Sequence, residues 1–321
     1  MKTSTLRHGV PAALVAVAAL AATPVVALER PTQLVILSGS TGGSWSAYAA
    51  GLIPILESEG ISATAIPGGG ASNPLRIAEA ETDISFGQTS ANYDASQGTG
   101  AFEGRAVSNI MNLALISTDH IHVVCRADSG IETWEQLEGA RFAAPSAGIA
   151  SWGNFLAGLH AHGLTEDDLE IVTRGDSGNN ITAVRDRQAD CTTHTSAWPV
   201  GAFAEVAFTV PLNFLGMTAE KAQEVVESNP GFITGTIPAG AYTGHDEDVN
   251  VYMAGSVLMT HGDLPDNIAY WVVRILNERL EDVQSIHGGL ANLNPELMVQ
   301  APVWEMHPGA VAYYREIGLM E

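Results

Sequence analysis

The chain has 321 residues, with 36 acidic residues against 14 Lys and Arg, and its formal net charge is −22 at pH 7. Such an acidic surface repels nucleic acid and anionic membranes, so neither is expected as a partner. The length suffices for two α/β lobes that each bury a core. An anionic ligand must be held by local dipoles and selected side chains, because the overall field opposes it.

The start of the chain has the pattern of a secretory signal peptide. Lys2 and Arg7 form a positively charged beginning, an apolar run follows, and Val25 and Ala27 occupy the −3 and −1 positions of a signal-peptidase site. The apolar run is shorter than the about 20 residues needed to cross a bilayer. We therefore predict cleavage before Leu28 and export to the periplasm. A retained N-terminal anchor is the alternative interpretation.

Strand-like and helix-like segments alternate in the next part of the chain. TQLVILSG predicts a strand, and the helical segment after it ends at Gly60, a residue typical of a helix C-terminus. ISATAIPGGG precedes a helical segment with Pro74 in its first turn, and DISFGQTS predicts a third strand. This β-α-β-α-β run indicates a parallel sheet, whose ligands bind at the carboxyl ends of the strands.

Two later segments predict that the chain crosses between two lobes twice. HIHVVCRADSG is typical of a long strand that leaves the first lobe, and VYMAGSVLMT of a strand that returns to it. Two lobes joined by two strands form a hinged clamshell that closes over a ligand. The predicted division is a signal peptide at 1–27, a first lobe at 28–119 plus 256–321, and a second lobe at 120–255.

The sequence contains two cysteines, Cys125 and Cys191. An oxidising compartment allows a disulfide, and both residues fall in strand-like segments. Two buried free thiols are an equally good interpretation at this level. Neither cysteine has a partner at zinc-site spacing, so no metal site is predicted.

The segment SGSTGGSWS lies where the first strand passes into the first helix. Gly43 lets the backbone approach a ligand closely, and the free N–H groups of the helix start carry a partial positive charge suited to a carboxylate. Ser40, Thr41 and Ser44 add hydroxyl donors, and Trp45 either covers the ligand or packs between loops. An ordinary capped turn is the alternative interpretation.

Further polar side chains follow the next two strands. Gln88 and Ser90 lie at the carboxyl end of the third strand, where a neutral amide can bind a carboxylate without a desolvated charge. Asn73, after PGGGAS, is another candidate. In the second lobe, Arg174 ends a strand and suits a bidentate carboxylate contact, with a structural salt bridge to Asp176 or Asp190 as the alternative.

Several segments together resemble the TAXI-type solute-binding proteins of TRAP transporters. They are GSTGGSWSAYAAGL, PGGGASNPLRIAEAETDISFGQTSANYDASQGTGAF, IHVVCRADSGIETWEQLEGARFAAPSAG, IPAGAYTGHDEDV and HPGAVAYYREIGL. The resemblance covers nearly the whole mature chain. It implies an α/β, two-lobed type II periplasmic-binding-protein clamshell that delivers a small organic solute to membrane permease subunits, with glutamate or a related dicarboxylate as the best-known ligand class.

The resemblance also implies where the second lobe contacts its ligand. By position, Thr195 and Ser196 belong to a loop that faces the cleft, and Ser146 and Ser151 to a helix start opposite the first. Related proteins have a run like G-S-G-T-E in that helix start, whereas this chain has Ile149 and Ala150 there. The loss of an acidic residue favours a ligand without an amino group, such as 2-oxoglutarate or another dicarboxylate.

The sequence contains no motif typical of an enzyme or a nucleotide site. G-x-S-x-G, the Walker loop, His-Glu-x-x-His and the dinucleotide fingerprint are all absent. We therefore predict a monomeric periplasmic receptor, not an enzyme, that has no cofactor and captures a small carboxylate for a TRAP permease. A periplasmic lyase or dehydratase and a ligand-sensing subunit on the same fold are the alternatives.

Overall fold

The computed structural model describes residues 28–39, 43–146 and 149–321, and the predicted signal peptide lies outside the described residues. The first part of the described chain alternates strands and helices, as predicted. In chain order these are β1 (Gln33–Leu37), α1 (Ser44–Ser58), β2 (Ser62–Ile66), α2 (Ser72–Ala78), β3 (Ile84–Gln88) and α3 (Thr89–Gln97). Gly60, just after α1, has a φ of 80°, a left-handed conformation that glycine adopts without steric cost.

The middle of the chain begins with the long strand β4 (Ile110–Arg126) and then repeats the alternation. Its further elements are β5 (Arg141–Pro145), α4 (Ala150–Ala161), β6 (Glu170–Gly175), α5 (Ser177–Arg185), β7 (Cys191–Ser196), α6 (Gly201–Ala207), β8 (Leu212–Phe214), α7 (Ala219–Ser228) and β9 (Phe232–Ile237). A second long strand, β10 (Val249–His261), leads back. The helices after it are α8 (Asp266–Glu278), α9 (Leu280–Ser285), α10 (Pro295–Met298) and α11 (Pro308–Glu316).

The described strands join in one mixed sheet with the order β2-β1-β3-β10-β4-β7-β5-β6. β1 pairs in parallel with β2 and β3, and β5 pairs in parallel with β6 and β7. Between these parallel units, β10 and β4 pair antiparallel with each other and with their outer neighbours β3 and β7. The two long strands therefore connect two parallel α/β units.

Separate groups of buried apolar side chains show that the molecule has two lobes. The largest group draws on residues 34–116 and 258–314, whereas two others draw only on residues 121–254. β4 and β10 contribute to both sides, because each is long enough to run from one core into the next. A division of the lobes at 119/120 and 255/256 remains our proposal.

The two cysteines form a disulfide. Cys125 on β4 and Cys191 on β7 are paired across the antiparallel strands, and their sulfur atoms are 2.00 Å apart. Both residues are fully buried. The interpretation as two free thiols is therefore wrong, because strand pairing places side chains 66 residues apart in direct contact.

Candidate ligand-binding cleft

A cleft of about 650 Å³ lies between the two lobes, a volume in the usual range for small-molecule sites. The residues that line it are Gly39, Gly43, Ser44, Trp45, Gly69, Gly70, Ala71, Ser72, Gln88, Asp119, Pro145, Ile149, Ala150, Ser151, Gly175, Asp176, Asn180, Thr193, His194 and Thr195. Most of them follow or end a parallel strand, because the carboxyl ends of both parallel units face each other across the cleft.

Two long helices, one from each lobe, begin at the cleft, and no described side chain caps either of them. The N-cap of α1 is Gly43 and that of α4 is Ile149, and neither residue has a side-chain oxygen that can accept from the first-turn N–H groups. The Ser46 and Trp152 N–H groups donate to the carbonyls of Gly43 and Ile149, whereas the first two N–H groups of each helix and the helix dipole are available to an anion. α5 differs, because the carboxylate of its N-cap Asp176 accepts from the Asn179 N–H at 2.8 Å.

Trp45 forms a fixed part of the cleft wall. Its indole Nε1–H donates to the hydroxyl of Ser256 on β10 at 2.9 Å, and its ring stacks on Phe86 with centroids 6.2 Å apart. Gly39 makes this position possible, because a Cβ there would lie 2.9 Å from the Cβ of Trp45. Trp45 thus packs between elements and also lines the cleft, and its contact with a ligand stays a prediction.

Asn154, which sequence analysis did not single out, connects several predicted residues across the lobes. Its Nδ2 donates to Gln88 Oε1 at 2.9 Å and to Thr195 Oγ1 at 3.2 Å, and its Oδ1 accepts from Ser90 Oγ at 2.7 Å. The hydroxyl of Ser151 accepts from the Thr195 N–H at 3.3 Å. The sequence signal was its place one turn after the start of α4, on the face that carries Ser151.

These bonds determine which hydrogen atoms remain for a ligand. Gln88, Thr195 and Ser151 are engaged through their acceptor oxygens, so the Gln88 amide N–H groups and the two hydroxyl hydrogens are free to donate. Within the described part of the chain, no protein group accepts from Gln88 Nε2. With the two uncapped helix starts, this wall of the cleft offers mainly hydrogen-bond donors.

Several predicted residues do not line the cleft. Asn73 is fully buried, and its Nδ2 donates to the carbonyls of Ser38 and Phe86, so it holds the β1 and β3 ends together. Ser90 is 2% exposed and bound to Asn154. Ser146 and Ser196 are half-buried and outside the cleft lining. Ser40 and Thr41 lie outside the described residues.

Arg174 is also engaged elsewhere. Its guanidinium forms an ion pair with Glu166, donates to the Pro145 carbonyl at 3.2 Å and lies 4.9 Å from the Trp152 ring centroid. Alternation along β6 places Gly175 at the cleft and turns Arg174 away from it. A salt bridge was the expected alternative, but its partner is Glu166, which is eight residues away.

The cleft holds negative and neutral titratable groups. Among its described lining residues none is Lys or Arg, while Asp119 and Asp176 carry carboxyl groups. Asp119 is 7% exposed and accepts from Ser256 Oγ at 2.7 Å. Burial raises its pKa to about 6, although hydrogen bonds from Ser256, Ser117 and the Ala197 backbone oppose the shift. Burial lowers the pKa of His194 to about 4, so this histidine is neutral near pH 7.

Sequence analysis missed Asp119 because it stands within a strand-like segment. A carboxylate between Thr118 and His120 carries no local signal of a binding site. Asn180 on α5 was missed for a similar reason. Its Nδ2 donates to the carbonyls of Ala144 and Gly175, while its buried Oδ1 accepts from no described group.

Comparisons with known proteins give a family and a fold. A model of the NMT1-like family matches residues 36–318, which is most of the chain. XAC2383 from Xanthomonas citri, in a structure bound to ATP, has a TM-score of 0.51 and 12% identity over 89% of this chain and 95% of that one. The alkanesulfonate-binding protein SsuA from Xanthomonas axonopodis pv. citri, bound to MOPS, has a TM-score of 0.44 and 13% identity over 84% and 82%.

A third similar structure is the probable amino-acid ABC transporter extracellular-binding protein ytmK from Bacillus subtilis, with a TM-score of 0.47 and 14% identity over 82% and 99%. At such identities the likeness concerns the fold alone. The predicted α/β fold, the two-lobed type II periplasmic-binding clamshell, is confirmed.

Proposed function

This chain belongs to the NMT1-like family, and on that premise we propose that it captures a small organic acid outside the cytoplasm for a TRAP-type secondary transporter. The observation that carries the proposal is the donor-rich wall between the lobes. Among the described residues no side chain caps the start of α1 or α4, and Gln88, Ser151 and Thr195 keep hydrogens to donate. A carboxylate supplies the acceptor oxygens that such a wall requires.

The proposed ligand contacts follow from this geometry. Backbone N–H groups after Gly43 and Ile149 bind the carboxylate from opposite lobes, and the Gln88 amide and the hydroxyls of Ser151 and Thr195 complete its shell. Ser44 and Trp45 line the same side of the cleft. Closure stabilises the complex because the closed form adds contacts from the second lobe to those already made by the first.

The proposal that the ligand carries a carboxylate is tested by comparing the binding of acids with that of their neutral esters. In isothermal titration calorimetry, C4 and C5 dicarboxylates and amino acids are titrated beside the matching methyl esters. We expect at least one acid to bind in the micromolar range and its ester to bind at least about 100-fold more weakly, since the ester lacks the charge. Binding of esters with the same affinity as the acids would contradict the proposal.

The transporter class and the export signal are supported by sequence patterns. The motifs resemble those of TRAP receptors, and the start of the chain resembles a cleaved signal peptide. Among the described residues, no helix has the length and apolar character needed to cross a bilayer. We expect the exported protein to begin at Leu28, which N-terminal sequencing checks. We expect uptake in cells to depend on an ion gradient, and uptake that follows ATP instead would contradict a TRAP partner.

A further inference from the structure

Asp119 is a carboxylate at the cleft that has no positively charged partner among the described residues. It stands on β4 where the strand passes from one lobe to the other, lines the cleft and is 7% exposed. Its Oδ2 accepts from Ser256 Oγ at 2.7 Å, and Ser256 Oγ in turn accepts from Trp45 Nε1 at 2.9 Å. In this series of two hydrogen bonds each donor points toward the carboxylate, an arrangement suited to the ionised form of Asp119.

In the part of the chain that the structure describes, the titratable side chains around Asp119 supply no counter-charge. Tyr48 on α1 is neutral, because burial and then the Asp119 charge raise the pKa of its phenol. His120 on β4 and His194 on β7 are neutral as well, since burial lowers the pKa of each to about 4. The other charged group in the described lining of the cleft is Asp176, which is also acidic.

A buried acceptor that has no donor among the described residues lies on the opposite wall. Asn180 is 1% exposed, its two described donations hold the amide in one orientation, and its Oδ1 has no partner among the described residues. The cleft therefore combines donors suited to a carboxylate with two acceptor groups: the Asp119 carboxylate, which has no counter-charge among the described residues, and the buried Asn180 Oδ1, which has no donor there. A buried acceptor of this kind is costly unless a ligand supplies the hydrogen.

We propose that Asp119 determines the specificity of the cleft by accepting a hydrogen bond from an ammonium or hydroxyl group that the ligand carries beside its carboxylate. The inference rests on the proposed function, because the carboxylate is what places the ligand. It also weakens the reason for expecting, from Ile149 and Ala150, a ligand that lacks an amino group. An acidic residue is absent from that helix start, but Asp119 supplies one from β4.

The inference is tested with four five-carbon diacids that differ only at C2. Glutarate, 2-oxoglutarate, 2-hydroxyglutarate and glutamate place CH₂, C=O, CH–OH and CH–NH₃⁺ at that carbon. In calorimetry at pH 7.5 we expect the tighter of the two donor-bearing acids to bind about 10- to 100-fold more tightly than glutarate and 2-oxoglutarate. Comparison of 2-hydroxyglutarate with glutamate identifies which donor the site uses.

Two variants connect this preference to Asp119. Asp119→Asn should lower the affinity for the donor-bearing acids about 10- to 100-fold. It should change the affinity for glutarate and 2-oxoglutarate by less than about 3-fold. Asp167→Asn, which removes an exposed carboxylate away from the cleft, should leave all four affinities within about 2-fold. Thermal unfolding of each variant establishes that it is folded before titration.

The pH dependence gives a further readout. Because a bound donor favours ionised Asp119, wild-type affinity for the donor-bearing acid should fall as pH drops from 7.5 to 5, and the fall should be smaller in Asp119→Asn. Affinity that rises with acidification in the wild type alone would mean that Asp119 donates as a carboxylic acid, which would overturn the inference.

Two further outcomes would distinguish a failure of this inference from a failure of the proposed function. If glutarate or 2-oxoglutarate binds as tightly as the donor-bearing acids, the inference is wrong while the carboxylate function stands. If none of the four acids, nor any other acid tested against its ester, binds at millimolar concentration, the proposed function fails and this inference fails with it.

Discussion

Asp119 and Asp190 are largely buried carboxylates in opposite surroundings. Asp190, just before β7, accepts from Arg141 Nη2 at 2.6 Å and lies 3.5 Å from Arg126 Nη2. Burial alone would raise the pKa of Asp190, but Arg141 and Arg126 together hold it below its ordinary value. Asp119 has hydroxyl and backbone donors and no described cation, so burial prevails and its pKa rises.

This difference in surroundings means that Asp190 stabilises the fold, whereas Asp119 is a charged group at the cleft that does not. The Asp190 charge is compensated within the protein, beside the Cys125–Cys191 disulfide at the start of β7. The Asp119 charge is compensated by hydrogen bonds alone, so it lowers stability near pH 7. Uncompensated carboxyl groups in clefts are typical of functional sites, whereas paired ones are typical of structural networks.

Removal of the disulfide should have the largest effect on stability. Replacing both cysteines, Cys125→Ala and Cys191→Ala, frees a loop of 66 residues in the unfolded chain and should lower the free energy of unfolding by about 4 kcal/mol. Urea unfolding measures the change. Ligand affinity should stay within about 3-fold, because the cleft residues of β7 lie at its other end. An unchanged stability would contradict a structural role for this region.

Removal of the Asp190 charge should have a smaller effect of the same sign. Asp190→Asn leaves Arg126, whose side chain is 8% exposed, with Asp128 as its remaining acid, and should cost about 2 kcal/mol. Since the folded-state pKa is lowered, this stability is present above the ordinary pKa of about 4 and is lost below it.

The control for Asp190→Asn is an exposed pair. Asp186→Asn breaks the ion pair with Arg185, in which both side chains are 44% exposed, and should cost less than about 0.5 kcal/mol. Equal effects of the two variants in urea unfolding at pH 7 would show that burial does not distinguish the sites.

Apart from the exposed control, the smallest effect is expected at Asp119, and its sign is opposite. Asp119→Asn should raise the free energy of unfolding at pH 7 by about 1 kcal/mol, since it removes an uncompensated buried charge. The folded-state pKa is raised to about 6, so the folded protein binds the extra proton as pH falls. The advantage of the variant over the wild type should therefore shrink between pH 6 and pH 4.

Measuring both proteins at each pH cancels the contribution of the buried histidines, which oppose folding on acidification. A loss of stability in Asp119→Asn at pH 7 would contradict the comparison with Asp190.

Much of the fold could be predicted from the sequence because its signals are local. Alternating apolar segments, glycines at helix ends and the long apolar runs of β4 and β10 indicated two α/β units joined by two strands. The same applies to part of the cleft. Gly43, Ser44 and Trp45 follow β1 and Ser151 begins α4, and chain geometry alone brings such helix starts to the ligand edge of a parallel sheet.

The local sequence pattern could not show that Gln88 lines the cleft and Asn73 does not, because both are polar residues near strand ends. The Asn73 amide already donates its hydrogens to the carbonyls of Ser38 and Phe86, whereas the amide hydrogens of Gln88 remain free to donate at the cleft. Nor could it show that Arg174 turns from the cleft toward Glu166. These outcomes depend on which neighbours fill the hydrogen-bonding capacity of each side chain.

What the sequence by itself determined is where strands give way to helices, since backbone freedom and capping are decided by adjacent residues. The tertiary structure decided which polar groups reach the cleft with unused capacity. Asn154 orients Gln88 from 66 residues away, and Ser256 binds Asp119 from 137 residues away. Partners at such distances along the chain leave no local signal, because only packing of the two lobes brings them within hydrogen-bond range.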